Sequence, residues 1–305
     1  AVLSSKLVSV EKSSLDKVLQ ILQKALEISP DSAIGHALLG ETLALKEEFV
    51  ASKQAYQVAL ESNLVEEEEW FARLSLGMGN VALALGQEDV ALASLQEALQ
   101  ADPNNSQIHK ALSEVYREVN LPENALQSAR AALNLAIDDI DTLAWYADQM
   151  LLLSEIDSDF GSPTTPNEGL LQVRSEALNA LHQAVQLAPK RADLLVKLGR
   201  MQYILGDEGG GISTLNSLID NENAQVDDLA DAGKILSELG ETCGAIACLE
   251  RAYTMDQEKS SQSAALLLID LARLHHLEGD HESAIQVLNR ATENNSSFAP
   301  IYHAK

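Results

Sequence analysis

Side chains that could perform catalysis or bind a metal are few in this 305-residue chain, and they are scattered. The histidines are His36, His109, His182, His275, His276, His281 and His303. His276 and His281 are five residues apart, an interval that does not place two side chains on one helix face, so we expect no metal site there. The motifs G-x-x-x-x-G-K-S/T, G-x-S-x-G and H-E-x-x-H are absent from the sequence. The sequence therefore predicts a non-enzyme with no catalytic residues, no cofactor and no metal.

The charge of the chain limits the partners that it can attract. The formal net charge is −25 at pH 7, and the acidic residues are spread along the whole sequence. A field of this sign repels nucleic-acid phosphate and anionic membrane surfaces, whereas it attracts basic proteins or peptides. We therefore expect protein or peptide partners, and neither nucleic acid nor membrane.

The cysteines and the hydropathy pattern bear on the compartment. Cys243 and Cys248 lie five residues apart on one predicted helix and point in different directions, so we expect two free thiols rather than a disulfide. Free thiols are typical of a reducing compartment. No apolar run approaches the roughly 20 residues that span a bilayer. The sequence thus predicts a cytoplasmic protein.

A sparse pattern of small residues repeats along the chain and indicates which elements carry these side chains. A small residue is followed twelve positions later by an alanine, and a second alanine stands seven positions after the first, as in Gly79, Ala91 and Ala98. A period of about 34 residues of this kind predicts stacked helical hairpins. The full repeats are 33–66, 72–105, 106–139, 140–191, 192–225, 226–259 and 265–298. A half repeat at 14–31 and a truncated one at 299–305 flank them, so we expect a fragment of a longer chain.

This register resembles the tetratricopeptide repeat family, in which position eight is small, position fifteen is often Gly, and positions twenty and twenty-seven are Ala. Position eight is occupied by Gly40, Gly79, Ser113, Ala147, Gly199, Gly233 and Ala272. Position fifteen is Gly in four repeats, at Gly86, Gly206, Gly240 and Gly279. The resemblance implies an all-α fold, an α-α superhelix. This is a right-handed solenoid of antiparallel helix pairs, here a single array over residues 1–305.

Two interruptions are expected in this array. Residues 154–169 contain Pro163, Pro166 and Gly161, and they predict an exposed loop inserted within a repeat. In repeat 192–225, Gly209 to Gly211 precede Leu218, which stands where other repeats have Ala. Because Gly inside a helix costs about 1 kcal/mol relative to Ala, we expect the second helix of this repeat to start late or fray.

The resemblance also implies a binding surface, because the first (A) helices of such repeats line a concave groove with position nine facing inward. Position nine is acidic or neutral in the first half of the chain and basic in the second, at Arg200, Lys234 and Arg273. Lys197 and Tyr203 are expected beside Arg200. Adjacent A helices lie about 10 Å apart and an extended chain advances about 3.3 Å per residue, so acidic residues about three apart could meet these cations in turn.

An alternative explanation needs no ligand. Asp231 and Asp270 stand at position six of the following repeats, so Arg200 with Asp231 and Lys234 with Asp270 could form an internal ladder of exposed ion pairs. Each such pair would contribute less than about 1 kcal/mol.

Three functions are compatible with this sequence. The leading hypothesis is a non-enzymatic scaffold that binds a peptide or protein segment in the groove of the superhelix. The second is a regulatory or substrate-recruiting arm of an enzyme whose catalytic domain lies outside this chain. The third is a self-assembling module that forms homo-oligomers through the repeat ends.

Overall fold

The computed structural model describes residues 12–61, 68–156, 166–256 and 262–294, and these residues form helices and turns without any strand. The all-α helical-repeat class is therefore confirmed. Two compact units divide the chain between Ile137 and Asp138. We describe each unit by itself, and the single array over residues 1–305 stays a prediction. The truncated repeat at 299–305 lies outside the described residues.

Among the described residues of unit 1 there are seven helices, of which the first belongs to the half repeat and the others form three pairs. They are α1 (Lys12–Ile28), α2 (Ala33–Leu45), α3 (Phe49–Leu60), α4 (Glu68–Ala84), α5 (Glu88–Ala101), α6 (Ser106–Glu118) and α7 (Pro122–Leu135). Within each pair the A helix packs against the B helix that follows it. The helices α1, α3 and α5 each also contact the A helix of the next repeat in this unit.

The described residues of unit 2 follow the same pattern and form four helix pairs. They are α8 (Ile140–Ile156) with α9 (Pro166–Leu187), α10 (Ala192–Ile204) with α11 (Glu208–Asn216), α12 (Val226–Glu238) with α13 (Thr242–Met255), and α14 (Gln262–Leu277) with α15 (His281–Asn294). A short 3-10 helix, Ser217–Asp220, follows α11. The three-residue turns inside most pairs make the two helices antiparallel neighbours.

The small residues lie where the two helices of a pair cross. A β-carbon added at Gly79 would meet Leu95 Cγ at 2.5 Å, and one added at Gly199 would meet Leu215 Cγ at 2.6 Å. In the repeat that has Ser113 at position eight, the buried hydroxyl donates a hydrogen bond to the Ala125 carbonyl across the crossing, at 2.9 Å. The leucines of the B helices therefore occupy the space that the missing side chains leave.

Position fifteen forms the turn between the helices of a pair, and its backbone is left-handed. The four predicted glycines have φ between +67° and +82°. Glu47 and Asn120 stand at the same position of their repeats and adopt φ of 64° and 56°. These two repeats thus keep the left-handed turn without a glycine, although this conformation costs a residue with a β-carbon roughly 1–2 kcal/mol.

The inserted segment is shorter than the sequence predicted. Ser154 to Ile156 belong to α8, and α9 already begins at Pro166, so the expectation of a loop over 154–169 was wrong at both ends. Pro166 opens a helix rather than interrupting one, because the missing proline N–H is not needed in the first turn. Residues 157–165 lie outside the described residues.

Repeat 192–225 is irregular at its end rather than at its start. Helix α11 begins on time at Glu208, because Asp207 caps it by accepting a hydrogen bond from Gly210 N at 3.0 Å. The expected late start was therefore wrong. The helix instead tightens into the 3-10 turn that holds fully buried Leu218. Arg251 of the next repeat donates hydrogen bonds to the carbonyls of Leu218 and Asn221, both at 2.8 Å.

The crossing predicts opposite effects for two glycine substitutions. In Gly233→Val, the new β-carbon would lie 2.8 Å from Leu249 Cγ, so we expect the free energy of unfolding to fall by about 1–3 kcal/mol. Gly209→Ala is the matched control, because no heavy atom lies within 4 Å of its added β-carbon. We expect it to be neutral or to stabilise by up to about 1 kcal/mol in urea unfolding. A neutral Gly233→Val variant would contradict the packing described.

The two cysteines are predicted to differ in reactivity. Cys243 is exposed and Cys248 is buried, and burial raises the pKa of the Cys248 thiol to about 11. Because the thiolate is the reactive form, a disulfide-exchange reagent should modify one thiol rapidly in the native protein and two in urea. Two rapidly reacting thiols without urea would contradict the buried position of Cys248.

Candidate functional site

The predicted basic residues lie on the A helices α10, α12 and α14 of unit 2. The structure places Arg200 and Lys197 at one cleft of about 280 Å³ and Lys234 at a second cleft of about 350 Å³. Arg273 lines neither of these clefts. The predicted residues are therefore distributed along successive A helices rather than gathered in one pocket.

The first cleft lies between α8, α10 and α12. Its apolar lining is Ala147, Leu151, Leu181, Val196 and Met201, and its polar rim is Asp148, Asp193, Lys197, Arg200, Asp228 and Asp231. The rim thus has four aspartates against two cations. An apolar floor with a charged rim can accept an apolar side chain while it orients the polar groups on either side.

Ion pairs join α8 to α10 along the rim of the first cleft. Lys197 Nζ pairs with the carboxylate of Asp148. Arg191, which precedes α10, pairs with Asp141 Oδ1 at 2.7 Å and with Asp193 Oδ2 at 2.6 Å. Lys197 is therefore engaged between neighbouring repeats, a pairing that the sequence analysis did not consider.

Arg200 differs from the other cations of this surface. Its side chain is exposed, and within the described part of the chain it has neither an ion-pair nor a hydrogen-bond partner. Asp231, which the internal-ladder alternative assigned to Arg200, instead pairs with Lys234 of its own helix. The guanidinium of Arg200 is thus available to an anionic group of a ligand.

Lys234 and Arg273 pair within their own helices, three residues apart. Lys234 Nζ lies 3.5 Å from Asp231 Oδ1, and Arg273 lies 3.4 Å from Asp270 Oδ1. The cation side chains remain 57% and 71% exposed, so these are weak surface pairs. The predicted pair of Lys234 with Asp270 is not formed. The sequence suggested an internal ladder of ion pairs between repeats. This pairing is wrong, because Asp231 and Asp270 pair with cations of their own helices.

Tyr203 is half-buried on α10. Its side chain packs against the hydrophobic core of unit 2 and lines neither of the two clefts. Arg200 and Tyr203 are three residues apart, an interval that leaves two side chains on neighbouring parts of one helix face. The contribution of Tyr203 to the groove therefore stays a prediction.

Burial affects the carboxylates of the second cleft and of the adjoining rim. Burial raises the pKa of Asp228, and the nearby carboxylates of Asp193, Asp227 and Asp231 act in the same direction. Burial also raises the pKa of Asp270, although Arg273 and Lys234 oppose this effect. The folded protein therefore disfavours the charged form of both carboxylates.

The corresponding surface of unit 1 is neutralised internally. Arg73 binds Glu41, the position-nine residue of repeat 33–66, through two hydrogen bonds of 2.7 and 2.9 Å. The same guanidinium lies 5.2 Å from the ring centroid of Trp70. This bidentate pair was not predicted from the sequence. Arg73 and Glu41 stand at fixed positions of adjacent repeats, and that spacing is the signal that could have identified the pair.

The sequence spacing predicted no metal site at His276 and His281, and the structure places these two side chains in contact. His276 Nδ1 and His281 Nδ1 lie 3.1 Å apart across the turn between α14 and α15. The five-residue interval spans that turn rather than one helix face, and the turn folds the two rings together. Nowhere in the described ranges do three or more His, Cys, Asp or Glu side chains converge as metal ligands. No helix among those residues is long and apolar enough to cross a bilayer.

The raised pKa of Asp270 predicts a pH-dependent gain in stability for Asp270→Asn. A carboxyl whose folded-state pKa lies above its unfolded value favours the native state when protonated, and this contribution is lost as the pH rises through the folded pKa. The variant should therefore gain stability relative to the wild type as the pH rises from 3 to 7. Urea unfolding along this pH range measures the difference, with Asp138→Asn at an exposed position as the control. A constant difference would contradict the effect of burial.

The chain is similar to known repeat proteins. A family model described as tetratricopeptide repeat matches residues 76–140 and 230–298. Anaphase-promoting complex subunit 3 of Schizosaccharomyces pombe is 24% identical over 185 residues, which are 61% of this chain but only 24% of that relative. The chain thus spans about a quarter of the length of this curated relative.

Solved structures share the fold at low sequence identity. A human IFIT1 dimer with m7Gppp-AAAA has a TM-score of 0.58 and 15% identity, covering 94% of this chain and 69% of that one. A tetratricopeptide repeat protein from Parabacteroides merdae has a TM-score of 0.55 and 16% identity, covering 90% of this chain and 97% of that one. The crossings of small residues, the left-handed turns and the match to the family model over residues 76–140 and 230–298 identify tetratricopeptide repeats within this chain.

Proposed function

We propose that this chain is a non-enzymatic protein-binding scaffold that holds an extended protein segment along the A helices of unit 2. The fold supports this, because repeats of this kind present extended surfaces for binding rather than an enclosed active site. The similarity to a subunit of the anaphase-promoting complex, a protein named for the assembly to which it belongs, agrees with such a role.

The observation that carries the proposal is Arg200 at the rim of the first cleft. An exposed guanidinium without a partner among the described residues, next to an apolar floor, suits a carboxylate that follows or precedes an apolar side chain. Such a charge-assisted hydrogen bond fixes the orientation of a bound chain. Arg200 therefore acts as the anchor of the bound segment. Lys197, which is paired with Asp148, adds a second positive charge at the same rim.

Lys234 and Arg273 extend the same surface toward α14. A ligand carboxylate at either cation replaces an exposed aspartate pair that contributes less than about 1 kcal/mol, so the exchange costs little. Asp227 and Asp231 line the second cleft, and they disfavour an uninterrupted acidic run. The preferred segment thus has acidic residues about three apart, with neutral or basic residues between them.

A charge-reversal experiment tests this function. Fluorescent 15-residue peptides with Glu at every third position should bind more tightly than scrambled peptides of the same composition. In Arg200→Glu/Arg273→Glu, the affinity for the spaced peptide should fall at least about tenfold, the size expected for the loss of charge-assisted hydrogen bonds. Fluorescence anisotropy measures the binding.

The matched control is Lys17→Glu/Lys24→Glu, which changes the net charge equally at exposed positions of α1 in unit 1. This variant should bind as the wild type does. Equal weakening in both double variants would show that total charge and not the proposed site governs binding. Equal affinity for the spaced and scrambled peptides would also reject the proposed surface.

A further inference from the structure

The turn between α14 and α15 brings two imidazole rings together at the surface. His276 Nδ1 lies 3.1 Å from His281 Nδ1, and the ring centroids are 4.9 Å apart with an angle of 44° between the planes. Both side chains are exposed. The two nitrogens that face each other are the same ring atom of each histidine, and each can offer a lone pair to the space between the rings.

The backbone of this turn is held by hydrogen bonds at both ends. Gly279 adopts φ of +81°, and its N–H donates to the His276 carbonyl at 3.0 Å. Asp280 N donates to the His275 carbonyl at 2.9 Å, while the Asp280 carboxylate caps α15 by accepting from Ser283 N at 3.1 Å. The backbone positions of the two histidines are therefore set before any ligand arrives, which lowers the cost of ordering the turn on binding.

The separation of the two nitrogens suits chelation of a single metal ion. With metal–nitrogen distances of about 2.0–2.1 Å, two ligand nitrogens stand about 2.9 Å apart at a right angle and about 3.3 Å apart at the tetrahedral angle. The observed 3.1 Å lies between these values. Imidazole nitrogens are suitable ligands for zinc, nickel and copper ions.

We infer that His276 and His281 form a two-histidine chelating site for a divalent transition-metal ion of the zinc, nickel or copper class. Water fills the remaining coordination positions, and the exposure of the pair leaves room for a donor group from a bound protein. Asp280 is engaged in its helix cap, and Glu278 lies 3.9 Å from Cys243 Sγ. The inference is independent of the peptide surface proposed above.

Binding of Zn²⁺ and of Ni²⁺ to the untagged chain tests this site. Isothermal titration should give one equivalent with the wild type, and His276→Gln or His281→Gln should weaken the affinity at least about tenfold, because a single imidazole cannot chelate. The thermal midpoint of the wild type should rise with saturating Zn²⁺, and that of His281→Gln should not.

Two neighbouring variants serve as controls. His275→Gln removes an adjacent histidine outside the pair, and Cys243→Ser removes the exposed thiol that could bind Zn²⁺ by itself. Both should keep the wild-type affinity. Wild-type affinity in His276→Gln and His281→Gln would overturn the site, and the pair would then be a simple N–H···N hydrogen bond. A loss in either control as large as that in the pair variants would overturn it as well.

Discussion

The close approach of the two helices in each pair is the constraint on which the other features of this protein depend. At Gly79, Gly199 and Gly233, a single added carbon would collide with a leucine of the facing helix. Because the two helix axes of a pair come this near, each of these leucines lies in a groove of the facing helix. The position of the leucine determines in turn where the A helix of the next repeat packs. The register of every exposed side chain on the A helices follows from these contacts.

The charged surface of unit 2 is a consequence of that register. Successive A helices present Arg200, Lys234 and Arg273 at equivalent positions, and an aspartate three residues earlier accompanies the last two. Position 197, where a similar aspartate would stand in α10, is instead Lys197, which pairs across to Asp148. Arg200 therefore lacks the aspartate three residues earlier that pairs with Lys234 and with Arg273 in their own helices, and this difference distinguishes Arg200 from the other two cations.

Much of the fold could be predicted from the sequence, because backbone constraints leave clear traces in residue type. Small residues marked the crossings, and four glycines marked left-handed turns. The structure added that Glu47 and Asn120 adopt the same turn, which residue type alone did not show. Pro166 misled the prediction of the inserted loop, since proline can either end a helix or begin one.

The side-chain pairings of the site could be predicted only in part. Sequence placed the cations on the correct helices, but it did not reveal that Lys234 would choose Asp231 over Asp270, because such a choice depends on rotamers and on distances of a few tenths of an ångström. The contact between His276 and His281 was not predicted for a related reason. A small change of angle at the end of a helix decides whether a side chain faces the core, the solvent or another ring.

The hydrogen bonds from Arg251 to the end of repeat 192–225 make this repeat depend on the repeat that follows it. The carbonyls of Leu218 and Asn221 each accept a backbone hydrogen bond from within their own repeat, from Asn221 N and Ala224 N, and a second one from Arg251 of the following repeat. The following repeat therefore reinforces the C-terminal turn of the earlier one. These two repeats are consequently not interchangeable building blocks. Excising or transplanting either of them alone would break a unit that spans the conventional repeat boundary.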